Sequence, residues 1–296
     1  LGHLLDKYLE DRPMLSPSTR RSYQCIRNSA FPGCMDKDIR SINWPRAVAS
    51  ESQRVAKKTL KNELGFVAAA YKEQKIPFDP VDLGVVPKAD TPWLDYAQIL
   101  TFVDAIRDTP VELPALLALH SLRRSEIFAL RPEDIDLKAE TISVSGATVY
   151  TSSAEWIRRE ENKSARSQRV VPIVIPRLLE ILQDHNGDIC PLGDGVRRQI
   201  NRICAANDLP EVGLHGLRRS FASLAYHLGW SEEETMRHGG WSDWKTVHDF
   251  YLRLSEKDLS KAAKKMRRFY SVSKSVSKKG SKNAPKRTSA IPSSAE

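Results

Sequence analysis

Apolar residues recur at helical spacing along most of the chain, and the exceptions gather in its middle. Residues 1–75 read as helical. Leu4, Leu5, Tyr8 and Leu9 share one face, and Leu60, Leu64, Val67 and Tyr71 form a stripe along TLKNELGFVAAAYKEQK. Such spacing stacks side chains on one side of a helix. Ser16-Pro17 is a start signal, a hydroxyl cap followed by a proline whose missing N–H costs nothing in the first turn. TRRSYQCIRN continues that helix with a basic flank. Pro77, Pro80, Pro87 and Pro92 then interrupt residues 76–92. Proline locks φ and removes a donor, so this stretch reads as a linker.

Helical periodicity returns at residue 93. DYAQILTFVDAI and ELPALLALHSLRRSEIFAL each read as a helix. Short β-like runs follow: TISVS (141–145), TVYTSSAEWI (148–157) and RVVPIVI (169–175), with the polar turn RREENKSARSQ between the last two. PRLLEILQD, GVRRQINRICAAN and LHGLRRSFASLAYHL are helical again. HGGWSDWKTVHDFY (238–251) reads as a turn and an amphipathic helix, and KDLSKAAKKMRRFY as a final basic helix. After Tyr270 the chain is Ser/Lys-rich without apolar periodicity, the composition of a disordered tail. The outline is therefore mainly α with a small β-sheet. A helical domain (1–75), a Pro-rich linker (76–92), a larger domain (93–270) and a basic tail (271–296) follow in order.

Charge and composition narrow the class. At 296 residues and 41% hydrophobic the chain can bury a real core. No apolar run approaches the length of a membrane span. No signal peptide is visible, and the start at Leu1 leaves room for a module upstream. Cys25, Cys34, Cys190 and Cys204 match neither a CxxC pair nor a disulfide framework, and read as reduced thiols of a cytoplasmic protein. The net charge of +9 suggests a polyanionic partner. More than half of it resides in the tail, where Lys274, Lys278, Lys279, Lys282, Lys286 and Arg287 face only Glu296. Charge alone therefore does not establish nucleic-acid binding.

The chemistry rests on a few motifs. The chain has no GxxxxGK[ST] loop, no HExxH, no zinc-spaced Cys/His set and no GxSxG elbow. It has LHGLRRSFAS, where His215 and Arg218 sit three apart and share a helix face. A guanidinium fork beside an imidazole suits a phosphate; ordinary surface residues are the alternative. In ALHSLRRSEIFAL, Arg123 and Arg124 lie amid apolar residues, so one approaches the buried side and needs an anion. That anion is either Glu126 or an external phosphate. Lys163 lies in the polar turn between two runs read as strands, a position where most lysines are simply solvated.

Taken in order, an Arg in SLRRSE, a Lys in NKSARSQRVVP, the HGLR box and GW followed by a Tyr resemble the tyrosine recombinases, or phage-type integrases. The resemblance spans most of the chain. It implies a helical core-binding domain over 1–75 and an α+β catalytic domain with a small antiparallel sheet over 93–270. It matches Arg123, Lys163, His215, Arg218, Trp241 and the nucleophile Tyr251 to the family's catalytic set, with Glu126 supporting Arg123. Arg20, Arg21, Lys57, Lys58 and Lys61 are the DNA-binding candidates of the first domain. The implied activity is site-specific cleavage and rejoining of double-stranded DNA through a 3′-phosphotyrosyl link, without metal, ATP or other cofactor, by a homotetramer on two DNA sites. A type IB topoisomerase-like nicking enzyme and a catalytically silent DNA-binding relative are the alternatives.

One departure stands out. Many family members carry the tyrosine nine residues after the His/Trp position. Here Phe250 holds that place, and Tyr251 follows one residue later. One residue turns a helix by about 100°, so a loop within SDWKTVHD is expected to absorb it. Tyr270 is the reserve nucleophile, His238 and His248 are structural or auxiliary, and Trp230 and Trp244 are core residues by expectation.

Overall fold

The computed structural model describes residues 1–79, 81–87, 91–151, 153, 155–159, 168–185, 189–190, 195–251, 254, 263–264 and 267–268. Two large hydrophobic cores and a smaller cluster around Tyr251 organise them. The first is built by α1 (Gly2–Glu10), α2 (Pro17–Ser29), α3 (Trp44–Glu51) and α4 (Lys57–Glu73). Ser16 caps α2 by accepting a hydrogen bond from the Thr19 amide, with Pro17 in the first turn. The Leu4, Leu5, Tyr8 and Leu9 face packs against the Leu60, Leu64, Val67 and Tyr71 stripe. Phe66, off that stripe, is also buried and stacks on Tyr23 at 4.0 Å. Ile76, Phe78, Val81 and Leu83 lie against this first core.

The second core surrounds α10 (Leu214–His227). Against it lie α5 (Tyr96–Ala105), α6 (Glu112–Leu119), α8 (Pro176–Asp184) and α9 (Gly195–Ala206), with the short α7 (Arg124–Ile127) beside α6. One antiparallel sheet has the order β1 (Ile135–Asp136), β2 (Thr141–Val144), β5 (Arg169–Pro172). A second, two-stranded antiparallel sheet pairs β3 (Ala147–Tyr150) with β4 (Trp156–Arg159). α11 (Glu232–Gly239) and α12 (244–251) complete the described fold.

Three readings are corrected. ELPALLALHSLRRSEIFAL is two helices: it breaks at Ser121, whose φ is +79°. That left-handed conformation is costly for a residue with a Cβ. It turns the Ser121 carbonyl out of the helix, where Arg218 takes it. TVYTSSAEWI is likewise two strands, β3 and β4, paired antiparallel. Among the described residues, 148–157 and 169–175 do not pair with each other as expected: β4 pairs with β3 while β5 pairs with β2.

α10 positions the chemistry, so its anchoring matters. Its Ser220 is fully buried, accepts a hydrogen bond from the Leu94 amide at 2.8 Å and donates to the Gly216 carbonyl at 3.0 Å. A Cβ on Gly216 would lie 2.5 Å from the Pro92 carbonyl, so only glycine admits that backbone. Ser220→Ala leaves the Leu94 amide buried without an acceptor. It is expected to lower unfolding free energy by about 1–2 kcal/mol, read from the shift of the urea midpoint.

Candidate active site

Arg123, His215, Arg218 and Trp241 come together on one open cleft of about 480 Å³, with Arg124, Phe128, Trp156 and Thr246 among its other walls. Three separate stretches deliver them. Arg123 is the residue before α7, His215 and Arg218 lie one turn apart on α10, and Trp241 follows the end of α11. Arg218 is buried while His215 opens to solvent. The Arg218 guanidinium lies 4.1 Å from the centre of the Trp241 ring, a cation–π contact that holds both groups.

Two devices keep these cations in place. The first is Glu126, a buried carboxylate. It accepts from the Arg123 amide at 2.8 Å and from Arg123 Nη1 at 2.5 Å. Arg169, at the start of β5, donates to both its oxygens at 3.2 and 3.0 Å. Arg218 stands 4.0 Å away. Burial alone would raise the Glu126 carboxyl, but the hydrogen bonds and charge of Arg169, then Arg123, overcome it and hold the pKa below the ordinary 4.5.

The second device is the carboxyl end of α11. Three successive carbonyls each accept from a different arginine: His238 from Arg169 Nε at 2.9 Å, Gly239 from Arg218 Nη2 at 2.7 Å, and Gly240 from Arg123 Nη2. The last carbonyls of a helix lack amide partners and carry the negative end of its dipole, so they favour cations. The glycine pair makes this close approach feasible. A Cβ on Gly239 would fall 1.8 Å from the Trp241 ring, and Gly240 has φ +64° with Arg169 Nη1 2.8 Å from the place of its Cβ.

Electrostatics sort the groups by role. Burial first, then Arg123, pushes Arg218 down to about 9, still a cation at neutral pH. The His215 pKa falls below 6.5, through lost hydration first and then the charges of Arg219, Arg218 and Arg123. Its ring is open at the cleft mouth yet sits close enough to protein to lose water. At neutral pH it is a neutral imidazole able to take a proton.

Tyr251 is not brought into the cleft. α12 runs without interruption from 244 to 251, and Ser242 and Asp243 are the non-helical residues between it and Trp241. Phe250 faces a small cavity shared with His215, Arg218 and Trp241. The Tyr251 ring is buried, packs 5.2 Å from Tyr226, and its hydroxyl lies 2.6 Å from Thr235 Oγ1 on α11. Burial raises its pKa; the Thr235 bond works against that, and Glu232 and Glu234 add to it.

The remaining candidates are scattered. Lys163 and Tyr270 lie outside the described residues. Lys57, Lys58 and Lys61 are exposed along the first turns of α4, and Arg20 and Arg21 lie on α2. Arg21 is exposed, with its guanidinium 4.6 Å from the Tyr150 ring centre in β3. Arg20 donates to the Arg12 carbonyl. Trp244 corrects an expectation: it is 54% exposed and stacks on His248, because α12 turns that side to solvent. Trp230 is half-buried against Phe221 and His238. His238 is buried between Phe221 and His120, and His248 pairs with Glu232 at 3.0 Å. Arg169 is the residue that sequence reasoning passed over.

The fold is shared with solved proteins. The Tn1549 transposon integrase in complex with transposon right end DNA superposes with a TM-score of 0.67, at 16% identity, over 88% of this chain and 99% of that one. A lambda integrase dimer bound to a COC′ core site gives 0.60 at 16% identity, over 85% and 77%. A lambda integrase tetramer bound to a Holliday junction gives 0.59 at 16% identity, over 84% and 76%. This is the tyrosine recombinase fold. No protein-family model and no curated protein matches the chain. The mainly α architecture with small antiparallel sheets is the one that the resemblance implied. Within that fold, among the described residues, no helix is long and apolar enough to cross a membrane.

Glu126→Gln is expected to destabilise the fold by about 3 kcal/mol, because it uncouples buried guanidiniums from their carboxylate. The sign with pH follows from a carboxyl whose folded pKa is depressed. Its stabilisation is complete above pH 4.5 and is lost as pH falls through the lower folded value. Stability profiles of the two proteins should therefore diverge above pH 4.5 and converge in acid.

Proposed function

We propose that this chain is a site-specific DNA recombinase that breaks and rejoins duplex DNA through a covalent link to Tyr251. The observation that supports this best is the convergence of Arg123, His215, Arg218 and Trp241 on one open cleft, behind which a single carboxylate is shared. Two fixed guanidiniums suit the non-bridging oxygens of a phosphodiester and the charge that grows on them in a pentavalent transition state. They supply positive charge of the kind that metal ions bring to other phosphoryl-transfer sites.

In the proposed reaction the Tyr251 oxygen attacks phosphorus and its proton passes to neutral His215. The bond to the 5′ oxygen breaks, and Lys163, assigned by resemblance, protonates that oxygen as it leaves. One phosphate ester replaces another, so bond energy is kept and rejoining by the reverse path needs no ATP. Before attack, Tyr251 must leave Thr235 and α12 must turn or unwind to bring the hydroxyl past Phe250. We further propose two domains, 1–75 and 93–270, joined by 76–92, that close on duplex DNA. Arg20, Arg21, Lys57, Lys58 and Lys61 then contact its backbone from the first. The working form is a homotetramer on two DNA sites in the cytoplasm; the lambda integrase tetramer on a Holliday junction supports that assembly by analogy of fold.

A second reading has its own observation. With Phe250 on the small cavity beside the cleft and the Tyr251 hydroxyl bonded to Thr235, the site also fits a DNA-binding relative without catalysis. A denaturation-resistant adduct decides between them. The protein is incubated with nicked duplexes drawn from DNA flanking its gene, and any adduct is mapped by peptide mass spectrometry. The expected result is an adduct on Tyr251 that Tyr251→Phe abolishes while DNA binding persists. Binding without adduct would establish the silent reading, and an adduct surviving Tyr251→Phe would identify another nucleophile. The adduct rate should also fall in acid as His215 gains a proton, at a pH below the ordinary imidazole value because its pKa is lowered.

A further inference from the structure

Arg169 is not among the residues that line the cleft, yet it makes hydrogen bonds behind it. Its Nη1 and Nη2 occupy both oxygens of Glu126, and its Nε binds the His238 carbonyl. The guanidinium is nearly enclosed, with 8% of the side chain exposed. Glu126 is thus shared by Arg123 and Arg169, while Arg218 is held off at 4.0 Å. Arg218 instead relies on two neutral carbonyls, those of Ser121 and Gly239. A carboxylate hydrogen-bonded to Arg218 would form a closed ion pair with it and cancel the charge that a phosphate needs. Carbonyls hold the same guanidinium in place without neutralising it, and a phosphate can displace them.

We infer that Arg169 is a positioning residue, which saturates Glu126 so that the carboxylate cannot close on Arg218 and leaves that cation free to grip the scissile phosphate. The inference rests on the recombinase reading for its phosphate but on this chain's own geometry for its logic. Arg169 also ties β5 to the end of α11, the turn that leads to Trp241 and α12. The arginine that sets the charge balance therefore also fixes the backbone whose carbonyls hold Arg218 and Arg123.

Four variants test it: Arg169→Met, which keeps bulk without charge; Arg169→Lys, which keeps charge without the fork; Glu126→Gln; and the double variant Arg169→Met/Glu126→Gln. Single-turnover adduct formation and DNA affinity are measured on the same nicked duplex, with circular dichroism reporting the fold. Arg169→Met should slow adduct formation about 10- to 100-fold, the scale of a misplaced catalytic group, with affinity little changed. Arg169→Lys should fall between it and the wild type. The double variant should be faster than Arg169→Met, because a neutral Gln no longer draws Arg218 away; a merely structural role would make it slower still. Wild-type rates in Arg169→Met, or a double variant slower than the single one, would overturn the inference. If the wild type forms no adduct, the recombinase reading fails separately. The crystal structure of Arg169→Met, or of Arg169→Lys should the former not fold, then decides. A Glu126–Arg218 distance shortened to hydrogen-bond length supports the inference, and one that stays at 4.0 Å refutes it.

Discussion

A single buried carboxylate balancing several guanidiniums is the constraint on which this molecule turns. Buried charge is expensive unless paired and hydrogen-bonded. Glu126 meets that requirement for Arg123 and Arg169 directly, and stands within ion-pairing range of Arg218. One negative charge among three positive ones leaves a local excess, and that excess faces a cleft rather than solvent at large. The main chain holds the excess in place. The broken helix at Ser121 and the carboxyl end of α11 offer carbonyls at the points where a guanidinium lacks a carboxylate. A phosphodiester, with charge and oxygens in the right number, is the ligand class this balance suits.

The same helix end links charge to motion. α11 carries Thr235, which holds the Tyr251 hydroxyl, and its last carbonyls hold the arginines. On the proposed reading, a phosphate that draws Arg123 and Arg218 forward would loosen their hold on Gly239 and Gly240, and with it the turn into α12. The stowed tyrosine and the waiting arginines are then two ends of one element. Tyr251, the proposed nucleophile, lies in an apolar setting of Ala222, Val247, Phe250 and Leu254, which favours the protonated phenol.

Much of this was legible in the chain, for definable reasons. The α2 cap, the α4 stripe and the HGLR helix are local patterns, and local patterns survive folding. The grouping of Arg123, His215, Arg218 and Trp241 was visible through resemblance, though nothing in their spacing brings them together. What escaped was long-range or conformational. Arg169 looked like an ordinary strand residue, since its carboxylate partner is 43 positions away. The break after α6 was hidden in a leucine-rich run whose periodicity continues across it; the polar pair His120-Ser121 was the available sign. Thr151 and Ser153 in TVYTSSAEWI were a turn signal overlooked within an apparent strand. The one-residue excess before Tyr251 was visible as an anomaly, but not what the chain does with it. A loop within SDWKTVHD was expected; Ser242 and Asp243 are non-helical, α12 is helical from 244, and Phe250 lines the small cavity beside the cleft.

The structure of this protein bound to nicked duplex DNA tests the account most directly. The expected result is one phosphate seated between Arg123, His215, Arg218 and Trp241. The Gly239 and Gly240 carbonyls will have given up their guanidiniums, and the Tyr251 hydroxyl will have moved from Thr235 toward phosphorus. DNA held elsewhere, with the arginines still on their carbonyls and Tyr251 still on Thr235, would contradict it.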